Sequence, residues 1–498
     1  MPEGSKMAST ATLVVESVES LAPPSQHSKR LTQYIAALSA TLGAFALGNV
    51  LAWTSPTQVP IQDDNYYGFD VTPEQFAWIG SLLTIGAAAS TLPTGFFVDF
   101  IGRKSTMFWM ALPFFTGWAI IAWANNVAML YAGRIITGFC GGVFSVASPL
   151  YIGEISEKEI RGTLGTSFQL MVVIGIEFTY VVGAFSNVFT ISIVSAVIPL
   201  IFALIFFWMP DTPQYHLKRN QPEKAKEALQ WFRGGKMVSE HVVEDELKEM
   251  KAILDATKPV PLKETFNTKA AQRAMIISVG LMVAQQLSGI NAVIFYTDTI
   301  FQSAGSTIPS QYSVMIVGLV QVVFTVVAAL VIDRLGRRIL LLFSFSVMCF
   351  CTLLLGVCLY YIELNGSIES LSWAPLFLLC LYMVAFSMGA GPIPWLVLGE
   401  LFPSEIKGTA SSISALVNWL MAFLVTKFYS GLVEAINGSS TFWIFTGCLV
   451  LSVIFVFFMM PETRGKTLEE IQEDLGGAPV VARVVEAAKS DDVERRSH

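Results

Sequence analysis

Gln285, Gln286 and Asn291 stand close together in an apolar run from 274 to 300, and they are the residues of this chain most suggestive of chemistry. Each primary amide both donates and accepts hydrogen bonds, which suits paired hydroxyls on a neutral ligand. If the run is one helix, 285 to 291 is not quite two turns, so the amides cover a broad face rather than a stripe. The other reading is that they glue neighbouring helices together. A second run, 373 to 399, contains GAGPIPW, where Gly391, Pro392 and Pro394 interrupt the helix. Proline has no N–H to donate, and the carbonyls it frees are tolerable at membrane depth only where they are shielded or line a cavity. A hinge beside the amides is expected, with an immobile kink as the alternative. Glu177 lies near the middle of the run 165 to 186, where an isolated charge is costly. It either pairs with Arg134 or Lys427 of other runs, or gains and loses a proton in a working cycle. No Cys or His metal cluster, nucleotide loop, or nucleophile with a base emerges, so neither an enzyme nor a cofactor is expected.

A charged signature, D-x-x-G-R-[KR], occurs twice, as DFIGRK from Asp99 and DRLGRR from Asp333. Two echoes follow in the same order. Glu154 with Arg161 and Gly162 matches Glu400 with Lys407 and Gly408, and MPDT at 209 to 212 matches MPET at 460 to 463. Such duplication between apolar runs implies two parallel bundles around a central pathway. The charges Asp99, Arg103, Glu154 and Arg161 of one half, with Asp333, Arg337, Glu400 and Lys407 of the other, alternate in sign at helix ends. They are expected to form ion pairs where the bundles meet, holding an outward-facing state and breaking when it opens inward. Simple retention of basic residues on the cytoplasmic side is the blander reading, and it leaves the acids unexplained.

The elements that must position these groups are legible in composition. The chain is 53% hydrophobic and 14% charged, with a mean hydropathy of +0.59, unlike a soluble domain of its 498 residues. Twelve apolar runs, each long enough to cross ~30 Å of hydrocarbon, lie near 31 to 53, 76 to 98, 106 to 125, 127 to 150, 165 to 186, 190 to 209, 274 to 300, 312 to 332, 339 to 362, 373 to 399, 409 to 432 and 441 to 460. Lys and Arg fill the connections after the even-numbered runs and are missing after the odd ones, which puts both termini in the cytoplasm. Residues 1 to 30 read as a disordered cytoplasmic segment without a signal-peptide cleavage pattern. The halves are then 31 to 209 and 274 to 460, the linker 210 to 273 carries short helices, and 461 to 498 is a cytoplasmic tail. Within the linker, Val242, Leu247, Met250 and Ile253 have the spacing of a helical stripe. The sequons at Asn365 and Asn437 fall on the outer face and are glycosylation candidates. The six Cys all lie in apolar runs and imply no disulfide framework. The net charge of −7 is spread over inner and outer segments and gives no support to a nucleic-acid partner.

The strings GFFVDFIGRK, GRIITGFCGG, PLYIGEISEKEIRG, QQLSGINAVIFY, GPIPW and PETRGKTLEEI, in this order, resemble the sugar porters of the major facilitator superfamily. SLLTIGAAASTLPTGFFVDFIGRK and LGNVLAWTSPT are most similar to the insect branch that includes facilitated trehalose transporters. The resemblance implies an all-α membrane protein with twelve transmembrane helices in two pseudo-symmetric six-helix bundles. It implies sugar contacts at Gln169, Gln285, Gln286, Asn291, Trp395, Asn418 and Trp419, with Gln321 where relatives often have Asn, and with Trp395 as a lid on the cytoplasmic side. A sugar's hydroxyls and C–H faces call for such neutral amides beside an aromatic wall. Proton-coupled relatives carry an acid in the first run. Here Ala46 stands at the usual position, which favours facilitated diffusion, with symport through Glu177 and a non-transporting sensor as alternatives. PDTPQ replaces the family's P-E-[ST]-P-R, so Gln214 stands for an Arg, and Ser387 and Phe295 also depart from pattern. The expected partners are a small-molecule sugar, trehalose or a hexose such as glucose, and the lipid bilayer of the plasma membrane; a monomer suffices for this mechanism.

Overall fold

The computed structural model describes residues 30–157, 159–235, 238–256, 268–303, 308–365, 372–402, 404–466 and 468–476. The N-terminal segment expected to be disordered, and the tail beyond 476, lie outside the described residues. The first half comprises α1 (Leu31–Ala52), α2 (Thr54–Gln62), α3 (Pro73–Phe100), α4 (Arg103–Ala122), α5 (Val127–Ile155), α6 (Arg161–Phe185) and α7 (Val188–Phe206). Three short helices follow, α8 (Pro213–Lys218), α9 (Pro222–Phe232) and α10 (Glu240–Ala256). The second half comprises α11 (Lys269–Leu287), α12 (Ile290–Ser303), α13 (Ser310–Leu335), α14 (Arg337–Asn365), α15 (Ala374–Ala385), a π turn (Phe386–Ala390), α16 (Ile393–Leu401) and α17 (Ser404–Met459), and α18 (Leu468–Asp474) closes the order.

Eleven helical stretches among the described residues are long and apolar enough to span a membrane, and the last of them runs for 54 residues. A straight helix of that length would reach ~80 Å, more than twice the hydrocarbon thickness. It is interrupted at Asn437, whose φ of 69° leaves the helical region, so α17 holds two crossings and the total is twelve. The first crossing is longer than the apolar run suggests. After Trp53 the chain continues helically to Gln62 as α2, although Pro60 inside it cannot supply an N–H to the ladder. The seventh crossing is broken in the corresponding place, between α11 and α12, where Gly289 takes φ +90°.

Close helix packing relies on glycine. A Cβ at Gly138 of α5 would collide with Leu83 O of α3, and one at Gly86 would meet Ile135 O in return. Gly48 and Gly175 play the same reciprocal part between α1 and α6, against Val172 O and Phe45 O. Without a hydrophobic gain between helices in lipid, such backbone approach supplies the van der Waals contact that holds them together.

Among the described residues, the hydrogen bonds and ring contacts that cross between the halves lie towards the end opposite the termini. Thr299 donates to Gln58 Oε1 at 2.8 Å, Asp298 N to Ser55 Oγ at 3.3 Å, and Tyr180 OH to Ile294 O at 2.8 Å. Trp78 lies 5.9 Å from Phe423 and takes Lys427 Nζ at 4.7 Å over its ring. No hydrogen bond or ring contact joins the halves at the other end among the described residues, where the like charges Arg161 and Lys407 of opposite halves act on each other, so the halves are bonded at one end, the closed end, and not at the end that carries the termini, called here the parted end. The linker helices attach to the first half, through Thr32 to Phe232 O at 2.9 Å and Arg233 to Ile155 O at 2.9 Å. α18 attaches to the second half, through Gln472 to Leu401 O at 2.5 Å. The expected stripe of α10 needs correction at one position: Val243 is buried and Val242 is 46% exposed, whereas Leu247 and Met250 are half-buried as the spacing predicts. Ile253 lies outside the described side chains.

Candidate functional site

The break at Gly289 brings the amides together in a way that an unbroken helix would not. Gln285 and Gln286 end α11, Asn291 starts α12, and Asn291 Nδ2 donates to Gln286 Oε1 at 2.5 Å. Gln286 Nε2 donates to Asn418 Oδ1 at 3.0 Å, and Asn418 Nδ2 donates to Gln285 Oε1 at 2.8 Å. Gln285 Nε2 ends the chain on two carbonyls, Ala390 O at 2.7 Å and Gly391 O at 2.9 Å. The four amides are buried, and they tie the seventh, tenth and eleventh crossings into one relay. Each can exchange an amide partner for a hydroxyl without moving a charge, because no ionised group takes part in the relay.

Other residues singled out in the sequence carry unused polar atoms. Gln321 Oε1 of α13 and Trp419 Nε1 of α17 are buried without a hydrogen-bond partner. Buried orphans of this kind point to a missing water or ligand. Gln169 of α6 is half-buried and its side chain makes no hydrogen bond among the described residues, and Trp395 in the first turn of α16 is also half-buried. The tenth crossing opens into a π turn, in which Gly391 N donates to Phe386 O at 2.8 Å, and it resumes helical form at Pro392 and Pro394.

Sequence reasoning missed Ser344 of α14. It donates to Ala385 O at 2.6 Å and accepts from Ala390 N at 2.9 Å, filling the gap in the π turn. No sequence signal marks it. Also missed was Asn49, fully buried in α1 with neither side-chain polar atom paired.

Glu177 and Arg134 do not pair, nor does Glu177 pair with Lys427, which corrects the expected ion pair. Arg134 is fully buried and donates to Ile79 O at 3.0 Å and Val50 O at 2.9 Å, with its guanidinium 5.2 Å from the Trp53 ring and Nη2 unpartnered. It is held by carbonyls beside the break in the first crossing. Glu177 faces the second half instead: its Oε2 fills the space a Cβ would need at Gly318 of α13, and that oxygen has no partner.

At the parted end the duplicated charges form two matching staples. In the first half Arg103 Nε and Nη2 donate to Glu154 Oε1 at 3.0 and 2.7 Å, and Thr212 donates to Glu154 Oε2 at 2.6 Å. In the second, Arg337 Nε and Nη2 donate to Glu400 Oε1 at 3.1 and 2.9 Å, and Thr463 donates to Glu400 Oε2 at 2.6 Å. The acid before each threonine receives the start of a helix. Asp211 accepts from Lys104 N at 3.3 Å and Glu462 from Arg337 N at 2.9 Å, beside glycines 102 and 336 with φ of 98° and 92°. Burial pushes the Asp211 carboxyl up from its usual range, against the pull of these N–H groups.

These pairs lie within a half, and none joins a charge of one half to a charge of the other. Asp99 receives Arg103 and Lys218, both at 3.1 Å, whereas the side chain of Asp333 lies outside the described residues. Arg161 donates to Ser156 O at 3.3 Å and Lys407 to Gly399 O at 3.0 Å, and neither forms an ion pair among the described residues. Asn365 and Asn437 are exposed at the closed end.

A family model described as "Sugar (and other) transporter" matches residues 36–475. The chain is 38% identical over 449 residues to "Facilitated trehalose transporter Tret1" of Polypedilum vanderplanki, covering 90% of this chain and 88% of that one. It is 39% identical over 450 residues to the protein of the same description from Anopheles gambiae, again over 90% of this chain but only 56% of that relative, so it spans about half of some of its relatives. Among solved structures, the proton:xylose symporter XylE bound to 6-bromo-6-deoxy-D-glucose is 25% identical with a TM-score of 0.73, over 89% of this chain and 98% of that one. The inward open conformation of XylE from E. coli has the same fold, with a TM-score of 0.73 at 24% identity over 89% of this chain and 99% of that one.

Proposed function

Because the chain belongs to the sugar transporter family of the major facilitator fold, we propose that it is a uniporter carrying trehalose or a hexose such as glucose across the plasma membrane by alternating access. The observation that carries this reading is the neutral relay Gln285–Asn418–Gln286–Asn291, whose hydrogen bonds can pass to sugar hydroxyls. Gln169, Gln321, Trp395 and Trp419 complete the proposed sugar contacts, with the indoles as its apolar wall. With basic loops and termini in the cytoplasm, the parted end faces inward, and the closed contacts through α2 and α12 form the outer gate. The two staples then keep each bundle rigid while the bundles rock as 31–209 and 274–460. Asn365 and Asn437 are proposed as outer-face glycosylation sites.

A second reading has its own observation. The unpartnered Glu177 Oε2 sits where the halves meet, as a coupling carboxyl would. Uptake of labelled trehalose and glucose into liposomes, at outside pH 5.5 and 7.5 with and without a protonophore, separates the two. Saturable uptake that equilibrates and ignores the protonophore is expected. Accumulation that collapses with the protonophore establishes symport, and no uptake above empty liposomes refutes both.

A further inference from the structure

Ala390 O is the carbonyl that Pro394, one helical turn on, leaves without its ordinary backbone donor. Gln285 Nε2 reaches it at 2.7 Å and takes Gly391 O with its other proton at 2.9 Å. On the opposite side of the kink Ser344 binds Ala385 O and Ala390 N, at 2.6 and 2.9 Å. Two side chains from α11 and α14 thus supply bonds that the backbone of the tenth crossing has lost. Freed backbone groups at membrane depth must be satisfied somewhere, and here the donor belongs to the amide relay.

We propose that Gln285 is a positioning residue of the hinge: it replaces the bond that Pro394 removes and couples the setting of α16 to the amides Asn418, Gln286 and Asn291. The coupling runs through one side chain. Gln285 Oε1 is held by Asn418 Nδ2 at 2.8 Å, so a ligand hydroxyl that takes over Asn418 loosens Gln285, and the loosening reaches Ala390 directly. The inference rests on the carrier reading for what the ligand is, but not for the bond to the hinge.

The test uses Gln285→Met, Ser344→Ala and Pro394→Ala in the full chain. Pro394→Ala returns an N–H opposite Ala390 O and makes the Gln285 donor redundant. Thermal melts of purified protein are expected to show a midpoint loss for Q285M that shrinks by half or more in the P394A background. Net uptake is expected to fall roughly tenfold in Vmax for Q285M, since tenfold corresponds to ~1.4 kcal/mol, the scale of one hydrogen bond, with a rise in KM beside it because Gln285 is also a proposed sugar contact. S344A, which touches no amide of the relay, is expected to lower Vmax with KM changed by less than about threefold. An equal midpoint loss for Q285M with and without P394A would overturn the proposal, as would a tenfold rise in KM with Vmax intact. If the wild type moves no sugar, the carrier reading fails alone, and the melts still decide the hinge bond.

Discussion

Replacing Glu154 with Ala tests whether the duplicated charges hold bundles together or hold each bundle rigid. Arg103 is 5% exposed and Glu154 11%, and the substitution removes two guanidinium contacts at 3.0 and 2.7 Å and the Thr212 bond at 2.6 Å. Breaking a buried pair by deleting one partner costs about 3–5 kcal/mol. Here Arg103 keeps Val98 O at 3.0 Å and Asp99 at 3.1 Å, so part of its charge stays compensated. The cost is therefore expected at or just below the bottom of that range, about 2–3 kcal/mol, or about 4–12 °C in the melting midpoint for a bundle-sized unit. The assay is a melt of purified E154A, E400A and the double variant. Because Glu154 and Glu400 staple different halves, their losses should add to within about 0.5 kcal/mol. Strong non-additivity would show one network across both halves and refute the intrabundle account. A shift of the inward–outward balance with no loss of stability would refute it equally.

Asn418→Ala leaves Gln285 Oε1 and Gln286 Nε2 without their present partners; the half-saturating sugar concentration is expected to rise about tenfold, read from the concentration dependence of uptake. Gly138→Ala drives a methyl into Leu83 O where helices cannot separate without breaking the matching contact at Gly86, so a loss of about 2 kcal/mol or more is expected, seen as reduced folded yield on size-exclusion chromatography. Glu177→Gln keeps the side chain's size and removes its ionisation, and uptake is expected to stay within about threefold of wild type at pH 5.5 and 7.5, since a uniporter draws no energy from that proton.

What the sequence made legible is whatever depends on local composition. The twelve crossings follow from apolar length, and the echo of MPDT in MPET marked paired positions correctly. Its meaning needed the fold, since Thr212 meets a carboxylate 58 residues away and Asp211 a helix start 107 residues away. The extension of the first crossing through α2 was hidden because Pro56, Pro60 and polar neighbours look like a loop, while their backbone stays helical against α12. Pairing Glu177 with Arg134 or Lys427 failed for a directional reason. Opposite charges in a membrane sequence attract a prediction, yet Arg134 is consumed by backbone carbonyls and Lys427 by the Trp78 ring.

The two broken crossings explain why one end closes while the other parts. α2 and α12 are the halves of the first and seventh crossings at the closed end, and their side chains Ser55, Gln58 and Thr299 provide polar contacts between the halves there, beside the bond from Tyr180 to Ile294 O. Both breaks lie beside the proposed sugar contacts or their mirror positions: Gly289 separates Gln286 from Asn291, and Trp53 follows Asn49 by one turn. A break lets the outer half-helix tilt while the inner half keeps its packing, as discontinuous helices of repeated carriers do. The staples at the parted end leave the bundles unjoined and so do not oppose that state. On the proposed carrier reading, the balance between inward and outward states rests on the closed-end contacts, a few hydrogen bonds worth about 1 kcal/mol each together with Lys427 over the Trp78 ring. A ligand of modest affinity that binds the two states unequally is enough to move such a balance.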